Sequence, residues 1–144
     1  MNVSDASILC FNHGCDLLAQ NRFLEARKEF ETAIEYDAAF VEAYINLGNC
    51  LRNSGKEDQS LYFYMKAINL DATNALAHFN YGCALYRLDR YKDAADELHI
   101  SVGLEPASSD IQVTYARYSA TIGETLLALS PAFRLLPQEA RTVP

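Results

Sequence analysis

The chain has no tryptophan, six glycines and four prolines, and three of those prolines stand at positions 131, 137 and 144. Residues 1–130 are therefore almost free of the residue types that break helices, and an all-helical body is expected. No apolar run approaches the roughly 18 residues that a bilayer-crossing helix needs, so membrane insertion is not expected. Positive charge is scarce as well: 12 Lys and Arg against 19 Asp and Glu leave a net charge of -7. Such a surface repels phosphate backbones, and nucleic acid is not an expected partner. No Lys or Arg precedes Arg22, which leaves out the basic start of a secretory leader and points to the cytoplasm. The four cysteines, at 10, 15, 50 and 83, form no Cys-x-x-Cys pair, and no histidine stands at zinc spacing from them. They read as small, buried or half-buried thiols, with no metal and no cofactor expected.

What is present is a rhythm. Gly14, Gly48 and Gly82 are 34 residues apart, twice in succession. Other columns keep the same step. Asn12, Asn46 and Asn80 precede each glycine by two. Leu17, Leu51 and Leu85 follow it by three. Ala26, Ser60 and Ala94 are small at twelve residues on; Phe30, Tyr64 and Leu98 are large at sixteen; Ala33, Ala67 and Ser101 are small at nineteen. This alternation describes a helix, a tight turn and a second helix packed antiparallel. The glycines and small residues stand where the two helices approach, and the large residues fill the space between one pair and the next. A single hairpin cannot bury its apolar face alone, so neighbours must stack. Helices are expected near 5–20, 23–36, 40–53, 57–70, 74–87 and 91–104. The turns carry Gln20-Asn21, Asn53-Ser54-Gly55 and Leu88-Asp89-Arg90, where Asn and Gly tolerate the left-handed end of a helix. A further helix over 109–129 places Ala116 in the glycine column, with no second helix to pair with it.

The pattern resembles the tetratricopeptide repeat, over three units at 7–40, 41–74 and 75–108. Its fullest stretch is Glu42-Ala43-Tyr44-Ile45-Asn46-Leu47-Gly48-Asn49, followed by Ala67 and Asp71; the third unit adds Tyr91, Ala94 and Pro106. Cys10 and His78 depart from the family at its first aromatic column, and Ala38 and Ala72 stand where a terminal proline is usual. The resemblance implies an all-α, right-handed α-solenoid of three helix-turn-helix hairpins plus a C-terminal capping helix at 109–129. Residues 1–130 form one domain on this reading. The Pro-containing tail 131–144 carries an apolar Phe133–Leu136 cluster that would dock on its own body or on a second copy.

The first helices of such a stack line its concave side. On that stripe Asn12, Asn46 and Asn80 form a ladder, joined by Asn49 and Asn53, and each amide can both donate to and accept from a peptide backbone. Arg52, Arg87 and Arg117 make the same face more positive than the average and suited to a carboxylate. Phe11, Phe79 and Tyr86, with Ile45, offer apolar pockets. The asparagines are similar to those of the repeat superhelix of O-linked N-acetylglucosamine transferase, which implies contact with extended substrate backbone; no glycosyltransferase domain follows here. The carboxylate clamp of chaperone-binding co-chaperones matches only at Asn46, so a chaperone C-terminus is not an expected ligand. His13, His78 and His99 have no nucleophile and acid arranged around them, and no catalytic residue is expected. The expected function is non-enzymatic: an adaptor, scaffold or chaperone-like module that holds an extended peptide segment of a protein partner. The alternative is a self-assembling scaffold that homodimerises through its tail or its open repeat ends.

Overall fold

The computed structural model describes residues 3–129. The tail docking expected for 131–144 lies outside the described residues. Among the described residues seven helices follow one another: α1 (Val3–Ala19), α2 (Phe23–Tyr36), α3 (Val41–Asn53), α4 (Glu57–Leu70), α5 (Ala75–Arg87), α6 (Tyr91–Leu104) and α7 (Ser109–Leu129). No strand occurs among the described residues. Each helix packs on its neighbours in sequence, and α3 also touches α1 and α5 directly. The result is an all-α solenoid of stacked hairpins. Helices α2, α4 and α6 keep the limits read from the sequence. Helices α3 and α5 start one residue later, because Phe40 and Asn74 stand outside the helix as caps. The Asn74 side chain accepts from the Ala77 N–H at 3.0 Å, which satisfies one of the unpaired donors at that end.

The turns inside the hairpins repeat as faithfully as the helices. Asn21, Gly55 and Asp89, again 34 residues apart, hold φ of 59°, 75° and 60°. At each, the following residue's N–H reaches back to close the helix: Arg22 to Leu17 O at 3.0 Å, Lys56 to Leu51 O at 2.9 Å, and Arg90 to Leu85 O at 3.0 Å. Together with the bonds from Asn21 to Leu18 O, Gly55 to Arg52 O and Asp89 to Tyr86 O, these are Schellman turns. Asn21 and Gly55 fit the sequence reading; Asp89 adopts the same conformation in the third turn. Between hairpins, Asp37 and Asp71 close the bend by accepting the N–H of Ala39 and Thr73 through Oδ1, at 3.0 and 2.9 Å.

The glycine column explains the large column sixteen residues on. A Cβ on Gly14 would lie 2.7 Å from Phe30 Cε1, on Gly48 2.6 Å from Tyr64 Cε1, and on Gly82 2.8 Å from Leu98 Cγ. Each large side chain thus sits directly over the glycine of its own hairpin. Two of them also reach onward: Phe30 packs with Leu47 and Cys50 of the next unit, and Tyr64 with Ala77 and Ala84. The sequence reading gave these residues only the second role, because spacing does not show what fills the room a glycine leaves. The small columns are completely buried, and the Ser101 hydroxyl donates to the Ala75 carbonyl at 2.8 Å across its hairpin. His78, at an aromatic column, is 6% exposed and held on both nitrogens, by Glu97 Oε2 at 2.7 Å and the Ala72 carbonyl at 3.0 Å.

Helix α7 breaks the rule. It packs on α6 and buries Ile111 and Ile122, but Ala116, in the glycine column, is exposed. This difference yields a paired test. Gly48→Ala gains up to about 1 kcal/mol of helix propensity. Against that, it forces a methyl into the fully buried Tyr64 ring, whose hydroxyl is fixed to Asn49 Oδ1 at 2.7 Å, and overpacking of this kind costs about 1–3 kcal/mol. A net loss of about 1–2 kcal/mol in urea denaturation is expected. Ala116→Gly should cost only the propensity, about 0.5–1 kcal/mol. A Gly48→Ala protein as stable as the parent would contradict the packing argument.

Candidate functional site

Two cavities open on the face shared by the first helices. One, of about 210 Å³, takes Phe11 from α1, Glu42, Ile45 and Asn46 from α3, and Leu76 from α5. Ile45 is buried and Leu76 is half exposed. The Phe11 ring is held against Phe40, with centroids 4.7 Å apart, and against Phe30 at 5.7 Å. The second cavity, of about 300 Å³, lies one unit further along. Arg52 and Asn53 end α3, Phe79, Cys83 and Arg87 run along α5, and α7 supplies Arg117 and Tyr118. Both cavities draw their walls from consecutive first helices, so the 34-residue period itself creates them.

A line of polar bonds runs between the two. Asn46 Nδ2 donates to Cys15 Sγ at 3.6 Å, and Asn49 Nδ2 donates to Asn46 Oδ1 at 3.4 Å. Arg52 Nη1 donates to Asn80 Oδ1 at 3.3 Å, while Asn80 Nδ2 donates to the Leu76 carbonyl one turn back at 3.0 Å. Asn46 and Asn49 are half-buried; Asn12 and Asn53 are exposed. Asn80 is buried and has both ends of its amide engaged, so it holds Arg52 in place instead of offering a free amide. Asn49 Oδ1 is likewise committed to the Tyr64 hydroxyl. The three arginines differ. Arg87 is paired with Glu57 of α4 through Nε at 2.9 Å and Nη2 at 2.6 Å. Arg117 lies over the Tyr118 ring, 5.3 Å from its centroid. Tyr86 stacks flat on Tyr118, 4.3 Å between centroids and 9° between planes. Tyr86 therefore seats α7 and lines neither cavity.

Two contributors escaped sequence reasoning. Phe40 precedes α3, off the stripe, and is known only through its contact with Phe11. Tyr118 is one step past Arg117 and enters the cavity because Tyr86 stacks on it; helical spacing gives no sign of that. A larger cavity of about 530 Å³ lies at the turn edge, between Asn21–Glu25 and Ser54–Lys56. Its Arg22 and Glu25 pair with each other at 2.5 Å, and the N–H groups of Asn21, Arg22 and Lys56 are spent on the Schellman turns. Among the described residues no three His, Cys, Asp or Glu stand together as metal ligands, and no helix is long and apolar enough to cross a membrane.

Sequence comparison agrees with the geometry. Two family models, both described as tetratricopeptide repeat, match residues 11–75 and 63–95. The chain belongs to the tetratricopeptide-repeat family. The probable UDP-N-acetylglucosamine–peptide N-acetylglucosaminyltransferase SPINDLY of Arabidopsis thaliana is 34% identical over 80 residues, 56% of this chain and 9% of the relative. The chain spans about a tenth of the length of the curated relatives it matches. Among solved structures, the first tetratricopeptide domain of Spaghetti (RPAP3), bound to the HSP90 peptide SRMEEVD, superposes with a TM-score of 0.77 at 16% identity, covering 83% of this chain and 95% of that one. The type III secretion chaperone SycD of Yersinia enterocolitica, in complex with a peptide of the translocator YopD, superposes with a TM-score of 0.76 at 16% identity, covering 88% and 97%. At these identities the likeness shows the fold.

The cysteines of this repeat domain fall into two classes. Burial pushes the Cys50 thiol up to about 11, and it does the same to Cys83 even though Arg52 and Arg117 pull that thiol down. Against the ordinary value of 9.0, such thiols hold about a hundredfold less thiolate. Cys10 and Cys15 are only half-buried. Native protein at pH 8 should therefore show two fast and two slow thiols toward an aromatic disulfide reagent, with the fast phase lost in Cys10→Ser/Cys15→Ser. Four equal rates would contradict this assignment.

Proposed function

We propose that the face shared by α1, α3, α5 and α7 holds an extended segment of a protein partner, and that the chain is a non-enzymatic adaptor or chaperone-like module of the cytoplasm. The observation that carries this reading is the succession of two cavities, one apolar and one cationic, at the spacing of the repeat. An apolar side chain enters the Phe11–Ile45–Leu76 cavity. The backbone beside it meets the amides of Asn12, Asn46 and Asn53, with Asn49 and Asn80 bracing Asn46 and Arg52. The peptide complexes of the Spaghetti and SycD domains support the same use of the fold.

A peptide selected on the full chain from a random library supplies the probe. Asn46→Ala/Asn80→Ala should weaken its binding at least about tenfold, equal to about 1.4 kcal/mol, with helical content unchanged by circular dichroism. Leu76→Asp, which places a charge in the apolar cavity, should do the same. Unchanged affinity in both variants overturns the reading. A second reading, self-association, is favoured by α7, where Val113 is 67% exposed and Ala116 lies open. Light scattering decides it: a dimer that becomes a monomer when residues 131–144 are removed places the contact in the tail, one that becomes a monomer in Val113→Asp places it on α7, and a monomer in the parent removes the reading.

A further inference from the structure

We propose that the arginine-lined cavity between α3, α5 and α7 receives a phosphorylated serine or threonine side chain of the bound segment. This rests on the groove reading above and gives that groove its specificity.

Charge is the first argument. The chain as a whole carries -7, yet this cavity takes three of its twelve basic residues and no Asp or Glu in its wall. Arg87 already has its carboxylate in Glu57. Arg52 and Arg117 have none among the described residues: Arg52 donates to the Asn80 amide and Arg117 rests over Tyr118. Two guanidiniums from different units thus converge with about two positive charges uncompensated. A single carboxylate would offset one of them. A phosphorylated side chain, at about -1.5 to -2 with three acceptor oxygens, offsets both.

Chemistry is the second. Guanidiniums present a planar fork that meets phosphate oxygens through two N–H groups at once, which lysine does not. Arg52 is half-buried and held by Asn80, which reduces the side-chain freedom it loses on binding, while Arg117 is exposed and rests over the Tyr118 ring. Both arginines lie close enough to Cys83 to draw its thiol downward, which places their charges over the same floor. Asn53 and Thr114 stand at the rim as neutral donors.

The test uses the full chain and two independent probes. Three degenerate peptide libraries carry a fixed central phosphoserine, glutamate or serine between identical random flanks. Retention of the phosphoserine library on the immobilised protein should exceed that of the serine library at least tenfold, with glutamate between them. In Arg52→Gln/Arg117→Gln the ratio of phosphoserine-library to serine-library retention should fall to about one, whatever the retention of the serine library itself. Equal retention of phosphoserine and serine libraries, or glutamate retained as well as phosphoserine, overturns the proposal. Inorganic phosphate, followed through the arginine Nε–Hε resonances, addresses the cavity without the groove. Shifts at Arg52 and Arg117 support it, and no shift overturns it. If phosphate shifts both arginines while no library is retained, the groove reading fails and the anion site stands; circular dichroism confirms that the variants fold.

Discussion

The contact between a large side chain and the glycine beneath it sets the geometry on which everything else depends. Phe30 on Gly14, Tyr64 on Gly48 and Leu98 on Gly82 bring the two helices of each hairpin together at one separation. Burying such a side chain contributes about 1.5–3 kcal/mol. The specificity lies in the missing Cβ, since any other residue would meet the large side chain at under 3 Å. Because the same contact recurs every 34 residues, the first helices fall at a regular spacing, and the cavities between them are a consequence of that spacing. The face shared by the first helices follows from this core: buried large side chains fix the helices, and the helices fix where Arg52, Asn80 and Arg117 stand.

Local and long-range signals agree along most of the chain. The left-handed positions Asn21, Gly55 and Asp89 share the period of the glycine column, as do the bends at Asp37 and Asp71. Turn chemistry, helix length and packing therefore ask for the same structure, the condition under which a sequence specifies one fold. The agreement ends at α7. It keeps the register of a first helix, but its Ala116 meets solvent where the earlier glycines meet a large buried side chain. Tyr86 on Tyr118 replaces that contact as the means of seating the last helix.

The fold was legible because its code is positional. Gly48, sixteen residues before Tyr64, signals a hairpin whatever occupies the surface. The site was legible only to the level of the stripe. Helical spacing placed Asn46, Arg52, Phe79 and Arg117 on one face, but it carries no information on how side chains spend their hydrogen bonds. Asn80 turned back to the Leu76 carbonyl, Arg87 crossed to Glu57 from another hairpin, and Tyr86 turned to α7. The last two choices depend on a neighbour far away in sequence. Asp89 in a left-handed turn was hidden for the same reason, since two flanking helices impose a conformation its own preference only permits.

The central claim is that the working surface is the face shared by the first helices. Backbone amide chemical-shift mapping of the full chain with a selected peptide tests it most directly. The account predicts shifts clustered on the stripe of α1, α3, α5 and α7, around Phe11, Asn46, Phe79 and Arg117. Shifts concentrated on the outer faces of α2, α4 and α6, or at the turn edge around Leu24 and Lys56, would contradict it.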